Sequence, residues 1–296
     1  MLRLNFRTLL AGQIVPNRAA PLLLGNTGFK VVQYNGRGLC LSDPSARQLA
    51  GSFLLRLADQ AHILCLQEVH GHRAEILSQF SLWLPRWTLY PSSTFRADGS
   101  ENFGAGGVLI AVAPAVAARA THFSHSPIVP GRCQALSIST RDMQFNIINF
   151  HNFGLSAAQV HAVGRHCDSL LDYDRANPMS SCSFAVGDIN FIAEDEQRFK
   201  VGRPLLPSSL WRAQHSGTHA NIWKSFLSKW TELAQPFPTH FCVDSLSADR
   251  KDRGWISAPA NQILHLRLSC STVGTPEDFE AARLSDHCPV AYCFSP

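Results

Sequence analysis

Five apolar, strand-like stretches of this chain each run into a side chain able to hold a metal ion or a phosphate. Asn35 follows residues 31–34, Glu68 follows 63–67, and His151 and Asn152 follow 145–150. Asp188 and Asn190 follow 184–186, and Asp286 and His287 border 289–294. Taken singly, each is a common cap or turn residue. Five together point to one cleft, because α/β folds place their clefts at the carboxyl ends of strands. Glutamate and aspartate oxygens with asparagine amides are hard donors, suited to Mg2+ or Mn2+ rather than Zn2+. The pair Asp286-His287 is the sharpest signal. Neighbours on an extended chain face opposite ways, so this acid and imidazole cannot both be core. A strand start, however, can aim both into one cleft.

Other chemistry-bearing residues are weaker. His70 and His72 follow Glu68 too closely to join it without a sharp turn, and are expected at a solvated helix start. His215 and His219 have the i, i+4 spacing of a zinc pair but lack a third ligand. His161 and His166 fit a helix surface or the core. Trp211, Trp223, Trp230 and Trp255 could stack on bases, although packing is the more ordinary use. The run Gly104-Ala105-Gly106-Gly107 lacks a Walker lysine and precedes a strand, so it reads as backbone crowding and not as a phosphate cradle.

The elements that must position these residues begin near Gly28. A strand over 29–34 stops at the turn signal Asn35-Gly36. Asp43 or Ser45 caps a helix reaching about Ala61, and 62–67 is a short apolar strand of the doubly buried kind. A helix over 70–84 follows, then strands at 86–91, 106–112, 133–139 and 143–150, the last two joined through Thr140-Arg141-Asp142. Ser156 opens a helix to Leu171, and 183–187 is a strand. Residues 192–240 are the least legible, with a helix around 220–234, and 252–257 is a further strand. No internal repeat or low-complexity linker is visible.

The chain has 296 residues, 45% of them apolar and 16% charged, enough for a sizeable core. Its net charge of +4 permits an anionic partner without demanding one. Lysine occurs only at Lys30, Lys200, Lys224, Lys229 and Lys251; the arginine bias suits phosphate contacts, but genome composition accounts for it as well. Nine cysteines without a C-x-x-C pair read as reduced, mostly buried thiols. No apolar run approaches the roughly 18 residues of a membrane span. Residues 1–27, free of acids and basic-amphipathic at the start, form a leader or a transit-like segment. The rest, 28–296, is expected to be one mixed α/β domain.

Tyr34-Asn35-Gly36, Leu66-Gln67-Glu68, Gly187-Asp188-Ile189-Asn190 and Ser285-Asp286-His287-Cys288-Pro289 occur in that order. This series resembles the motifs of the endonuclease/exonuclease/phosphatase (DNase I-like) superfamily. Pro238-Thr239-His240 with residues 251–257 resembles, within it, the endonuclease domains of non-LTR retroelements. The resemblance implies an α/β (α+β), four-layer sandwich of two packed mixed β-sheets flanked by helices. It implies a Mg2+-dependent hydrolase, with Mn2+ as substitute, that breaks phosphodiesters, DNA before other targets. Glu68 and Asp286 would attend the metal, with Asn35 supporting metal or phosphate. Asp188 would orient or deprotonate the attacking water, and Asn190 would hold that water or the phosphate. His287, oriented by Asp252, would contact a non-bridging oxygen, and Thr239 the substrate.

Two departures matter. Relatives acting on abasic sites carry Tyr-x-x-Asn where this chain has Asn149-Phe150-His151-Asn152. Asn152 is kept for substrate contact, and His151 becomes a candidate general acid. Residues 248–253 are more polar than a strand start of this kind, so Asp249 and Asp244 stay open as partners of His287. RNA, a phosphoinositide or a phospholipid headgroup are the alternative substrates, and an inactive binding module is the alternative class. The expected setting is intracellular, nucleus or cytoplasm unless the leader directs the chain to an organelle, without stable membrane association.

Overall fold

A computed structural model describes residues 29–40, 43–178, 180–191, 199–200, 219–233, 235, 237–244, 246–257, 268–274, 279 and 284–294. The expected leader, His215 and Trp211 lie outside the described residues. In chain order come β1 (Phe29–Asn35), α1 (Pro44–Ala58), β2 (Ile63–Gln67), α2 (Arg73–Trp83), β3 (Thr88–Ser92), β4 (Thr94–Phe95), β5 (Glu101–Asn102) and β6 (Val108–Val112). Then come α3 (Pro114–Ala117), β7 (His122–Val129), β8 (Cys133–Ser139), β9 (Gln144–His151), α4 (Ala157–Ala176), β10 (Ser181–Asp188) and β11 (Phe199–Lys200). The series closes with α5 (Ala220–Leu227), β12 (Thr231–Glu232), β13 (His240–Cys242), β14 (Ser247–Asp249), β15 (Asp252–Ile256), β16 (Leu268–Thr272) and β17 (Val290–Phe294).

Local chemistry starts the main helices. Asp43 accepts hydrogen bonds from the amides of Ser45 and Ala46, both at 3.2 Å, and Pro44 sits where its missing N–H costs nothing. Ser156 and Gln159 form a reciprocal capping box at the head of α4. The helix expected over 220–234 ends at Leu227 instead, because Thr231 and Glu232 are captured as an edge strand against Ile256 and Trp255. The polar strand β7, with Pro127 inside it, escaped the sequence reading; as a sheet edge it tolerates the missing donor.

Two six-stranded mixed sheets face each other, ordered β16-β17-β1-β2-β6-β3 and β12-β15-β10-β9-β8-β7. Each holds one parallel pair joined through a helix, β1–α1–β2 and β9–α4–β10, with antiparallel strands outside it. Phe29, Val31, Ile63, Ile147, Phe184, Val186 and Tyr292 fill the space between the sheets. Val32, Leu64 and Leu66 pack outward against Phe53, Leu54, Ile76 and Phe80 of α1 and α2. Ile148 and Phe150 pack outward against Val160, Val163, Trp223 and Phe226 of α4 and α5. The result is the four-layer sandwich with two sheets inside. All nine cysteines are free thiols, none of them exposed. No helix among the described residues is long and apolar enough to cross a membrane.

Strand periodicity positions the rim. Alternate residues share a face, so Phe29, Val31, Gln33 and Asn35 form one inward series, and Phe145, Ile147, Asn149 and His151 another. Moving toward the rim, the inter-sheet layer changes from apolar to amide. Gln67 Nε2 donates to Asn149 Oδ1 at 2.7 Å. Asn149 Nδ2 crosses to the carbonyls of Leu66 and Leu109, at 3.0 and 3.1 Å. This amide clamp ties the second sheet to the backbone of the first one residue short of the charged groups.

Candidate active site

Parallel strands end and their antiparallel neighbours begin at one rim. Asp188 closes β10 in register with His151 closing β9 and with Asp252 opening β15. From the facing sheet, Asn35 closes β1 and Glu68 follows β2. The Ser-Asp-His segment is fastened to them across 250 positions: Ser285 Oγ donates to the Asn35 carbonyl at 2.8 Å and accepts from the His287 amide at 3.1 Å.

Glu68 would face the helix layer in an extended chain, because Gln67 before it points inward. A left-handed φ of 49° turns it, followed by φ of 57° at His70 and 89° at Gly71. That is the sharp turn the sequence argument required, and it brings His70 Nε2 to 3.8 Å from Glu68 Oε2. His72 alone keeps the expected helix-start position, as N-cap of α2. The glycine run props the turn from behind: Gly107 and Gly106 carbonyls accept from the Val69 and His70 amides, and a Cβ on Gly107 would lie 3.2 Å from the His70 nitrogen. Backbone crowding, not a phosphate cradle, explains those glycines.

The polar groups converge. Asn35 Nδ2 donates to Asp188 Oδ2 at 3.0 Å and reaches Glu68 Oε1 at 3.5 Å. Its Oδ1 accepts the Arg37 amide. Asp188 also accepts from the Asn190 backbone amide (2.8 Å) and side-chain amide (3.3 Å). His151 Nε2 stands 3.2 Å from Glu68 Oε1 and 3.8 Å from Asp188 Oδ2. Arg132, which the sequence reading missed, lies 2.9 Å from His151 Nδ1. A guanidinium can only donate, so the neutral ring carries its proton on Nε2, toward the two carboxylates. His287 Nδ1 pairs with Asp252 Oδ2 at 2.7 Å, and its Nε2 lies 3.7 Å from Asp188 Oδ2 and 3.9 Å from Asp286 Oδ1.

The choice among three aspartates resolves cleanly. Asp252 orients His287, while Asp249 holds a different imidazole, His240, at 2.9 Å. The sequence places His240 within the resembled stretch Pro238-Thr239-His240 but attaches no role to it. The two rings lie 4.7 Å apart, and Asp286 sits between them, 3.6 Å from His240 Nε2 and 3.4 Å from Arg37.

Thr239 and Asn152 are placed as fasteners. Thr239 is fully buried, and its hydroxyl oxygen accepts from the Lys251 and Asp252 amides at 3.1 and 3.0 Å. Asn152 Nδ2 donates to the Ile189 carbonyl at 2.7 Å. Trp223, Trp230 and Trp255 are core residues, and His161 is an exposed helix residue.

Charge follows from this packing. Burial raises the pKa of Glu68, but His151, His287 and the Asn35 amide outweigh it and hold the group at about 2. Asp286 is likewise held well below the usual range, burial being overcome by His240, His287 and Arg37. Burial lowers the pKa of His287, yet Asp252, Asp188 and Asp286 bring it up to about 9, so the ring is a cation at neutral pH. Burial raises the pKa of Asp252, with His287 opposing. The carboxylates divide by access. Glu68 and Asp286 side chains are 25% and 23% exposed, whereas those of Asp188 and Asp252 are 1% and 0%. Glu68 and Asp286 thus offer ionised, reachable hard oxygens, the donor type that a hydrated divalent cation takes.

A family model described as "Endonuclease/Exonuclease/phosphatase family" matches residues 32–242. Among solved structures, the AP endonuclease LMAP from Leishmania major superposes with a TM-score of 0.66 at 13% identity, covering 91% of this chain and 88% of that one. The endonuclease domain of TRAS1, a telomere-specific non-LTR retrotransposon, gives 0.53 at 14% identity, covering 91% and 99%. D. rerio TDP2 complexed with single-strand DNA product gives 0.54 at 13%, covering 91% and 100%. No curated protein matches the chain by sequence.

Proposed function

Because this chain belongs to the endonuclease/exonuclease/phosphatase family, we propose that it is a divalent-metal-dependent phosphodiester hydrolase acting as a DNA endonuclease. The observation that carries this reading is the meeting of Asn35, Glu68, His151, Asp188, Asp252 and His287 at one rim, from both sheets. Glu68 and Asp286 would hold Mg2+ or Mn2+, with Asn35 fixing Glu68 and Asp188 through its amide. Bound there, the ion offsets negative charge on the phosphate.

The chain's own residues supply the rest. His287 is a preformed cation whose Nδ1–H is taken by Asp252, leaving Nε2–H to a non-bridging phosphate oxygen. Asp188, accepting from Asn35 and Asn190, positions the attacking water and takes its proton. His151, with its proton on Nε2, is suited to protonate the departing oxygen, while Asn190 holds the water or phosphate. DNA is favoured over a small phosphate ester by Phe153, 59% exposed beside His151, with Arg132 over its ring at 5.5 Å. An exposed aromatic face with a cation is a stacking platform for a base. The AP endonuclease, retrotransposon and DNA-bound TDP2 folds support the same substrate class.

The test is plasmid nicking by the purified chain with Mg2+, against EDTA and against Asp188→Ala and His287→Ala. Nicking lost in all three controls is expected. Cleavage of RNA, phosphoinositide or lipid headgroups without nicking would move the substrate and keep the chemistry. No hydrolysis of any of them would leave a binding module.

A further inference from the structure

Two imidazoles at the rim are held through Nδ1 by a buried aspartate, and the proposed hydrolysis uses one of them. His240 Nδ1 is held by Asp249 at 2.9 Å as His287 Nδ1 is held by Asp252 at 2.7 Å. Both aspartates are 1% exposed. This carboxylate–imidazole pattern fixes the ring and turns Nε2 outward for a metal ion. At His240 the point is sharpened by Lys251, whose Nζ lies 3.3 Å from Nε2. With its ring proton on Nδ1, toward Asp249, the imidazole presents the Nε2 lone pair to that ammonium. Asp286 lies between the rings, 3.6 Å from His240 Nε2 and 3.9 Å from His287 Nε2. Two ligands of a tetrahedral zinc ion stand about 3.4 Å apart.

We propose that His240, Asp286 and His287 form a second metal site, selective for a borderline transition ion such as Zn2+, whose occupation shuts off the Mg2+-supported reaction. Two imidazoles and one carboxylate are a donor set that Mg2+ does not favour and Zn2+ does. Filling it withdraws His287 Nε2 from phosphate and Asp286 from the hard-oxygen site; the ring proton leaves to solvent and Lys251 swings aside. The inhibitory arm rests on the hydrolase reading, whereas the binding arm does not.

Titrating the full chain with Zn2+ by calorimetry, and with Co2+ by its ligand-field absorption, tests the site directly. His240→Gln is expected to weaken Zn2+ binding more than tenfold and to abolish the four-coordinate Co2+ spectrum. Asp249→Asn keeps all three ligands and is expected to weaken binding about tenfold by freeing the ring. Each variant's Tm is compared with wild type, so that loss of fold is not read as loss of metal. His161→Gln, on an exposed helix face, and Glu68→Gln, in the hard-oxygen site, should bind Zn2+ as wild type does. Equal Zn2+ affinity in wild type and folded His240→Gln overturns the proposal. Nicking inhibited by Zn2+ equally in both overturns it too, while leaving the hydrolase reading intact. Zn2+ binding that depends on His240 in a chain that cleaves nothing would sustain this site and sink only the hydrolase reading.

Discussion

Each sheet contains one parallel pair threaded by a helix, β1–α1–β2 in the first and β9–α4–β10 in the second, yet their rims are finished differently. The first rim ends on a left-handed turn that leaves Glu68 quarter-exposed and propped by glycine backbone. The second ends on strands in register, with His151, Asp188 and Asp252 all closed from solvent. An open carboxylate suits an exchangeable, hydrated ion; closed acids keep an imidazole in one orientation and, in the proposed hydrolysis, would do the same for a water. The comparison teaches that one architecture can supply both jobs by changing how a strand ends.

The comparison breaks first if the closed acids, or the imidazole that they hold, prove dispensable. Asp188→Ala and His287→Ala should each lower kcat for plasmid nicking by about 10²–10³-fold, with KM little changed. Activity in either within a few-fold of wild type would remove these residues from the chemistry. Next, Glu68→Gln should cost about 10–100-fold in apparent Mg2+ affinity, and a rate recovered by raising Mg2+ would mark an ion site. A loss that no Mg2+ concentration relieves would make the two rims alike.

A smaller effect concerns the amide clamp joining the sheets. Asn149→Leu leaves Gln67 and two carbonyls without their buried partner and should destabilise by about 1–3 kcal/mol, read as a lower urea midpoint. The smallest expected effect is in pH dependence. Glu68, held at about 2 against 4.5 unfolded, stabilises the fold above pH 4.5 and loses that contribution as pH falls toward about 2. His287, at about 9 against 6.5 unfolded, contributes fully below pH 6.5 and loses it as pH rises through about 9. Urea midpoints across pH should therefore fall at the acid end less in Glu68→Gln, and at the alkaline end less in His287→Gln. Identical profiles would show that the open carboxylate and the held imidazole do not titrate separately.

Most of the fold was legible because buried strands and capped helices leave local marks. Residues 63–67 and 108–112 are apolar throughout, and Asp43 and Ser156 are caps. The strands that escaped are edges or short pairs such as β7, β13 and β14, whose pattern is set by partners elsewhere in the chain. At the site, the strand-ending residues were legible by type. Arg132 was not, since it acts through a side chain on another strand, His151, and His240 stood in a resembled stretch without a role until packing brought it beside Asp286.

The sequence alone determined which residues close the strands and which face each strand turns inward, since a period of two is a local property of extended backbone. It favoured Asp252 as the partner of His287, by resemblance, and left Asp249 and Asp244 open. That was decided when Thr239 fastened the start of β15 beneath the Ser-Asp-His segment, giving Asp252 to one imidazole and Asp249 to the other. Pairing between groups far apart in the chain depends on how two sheets settle against each other, and only the packed structure holds that information.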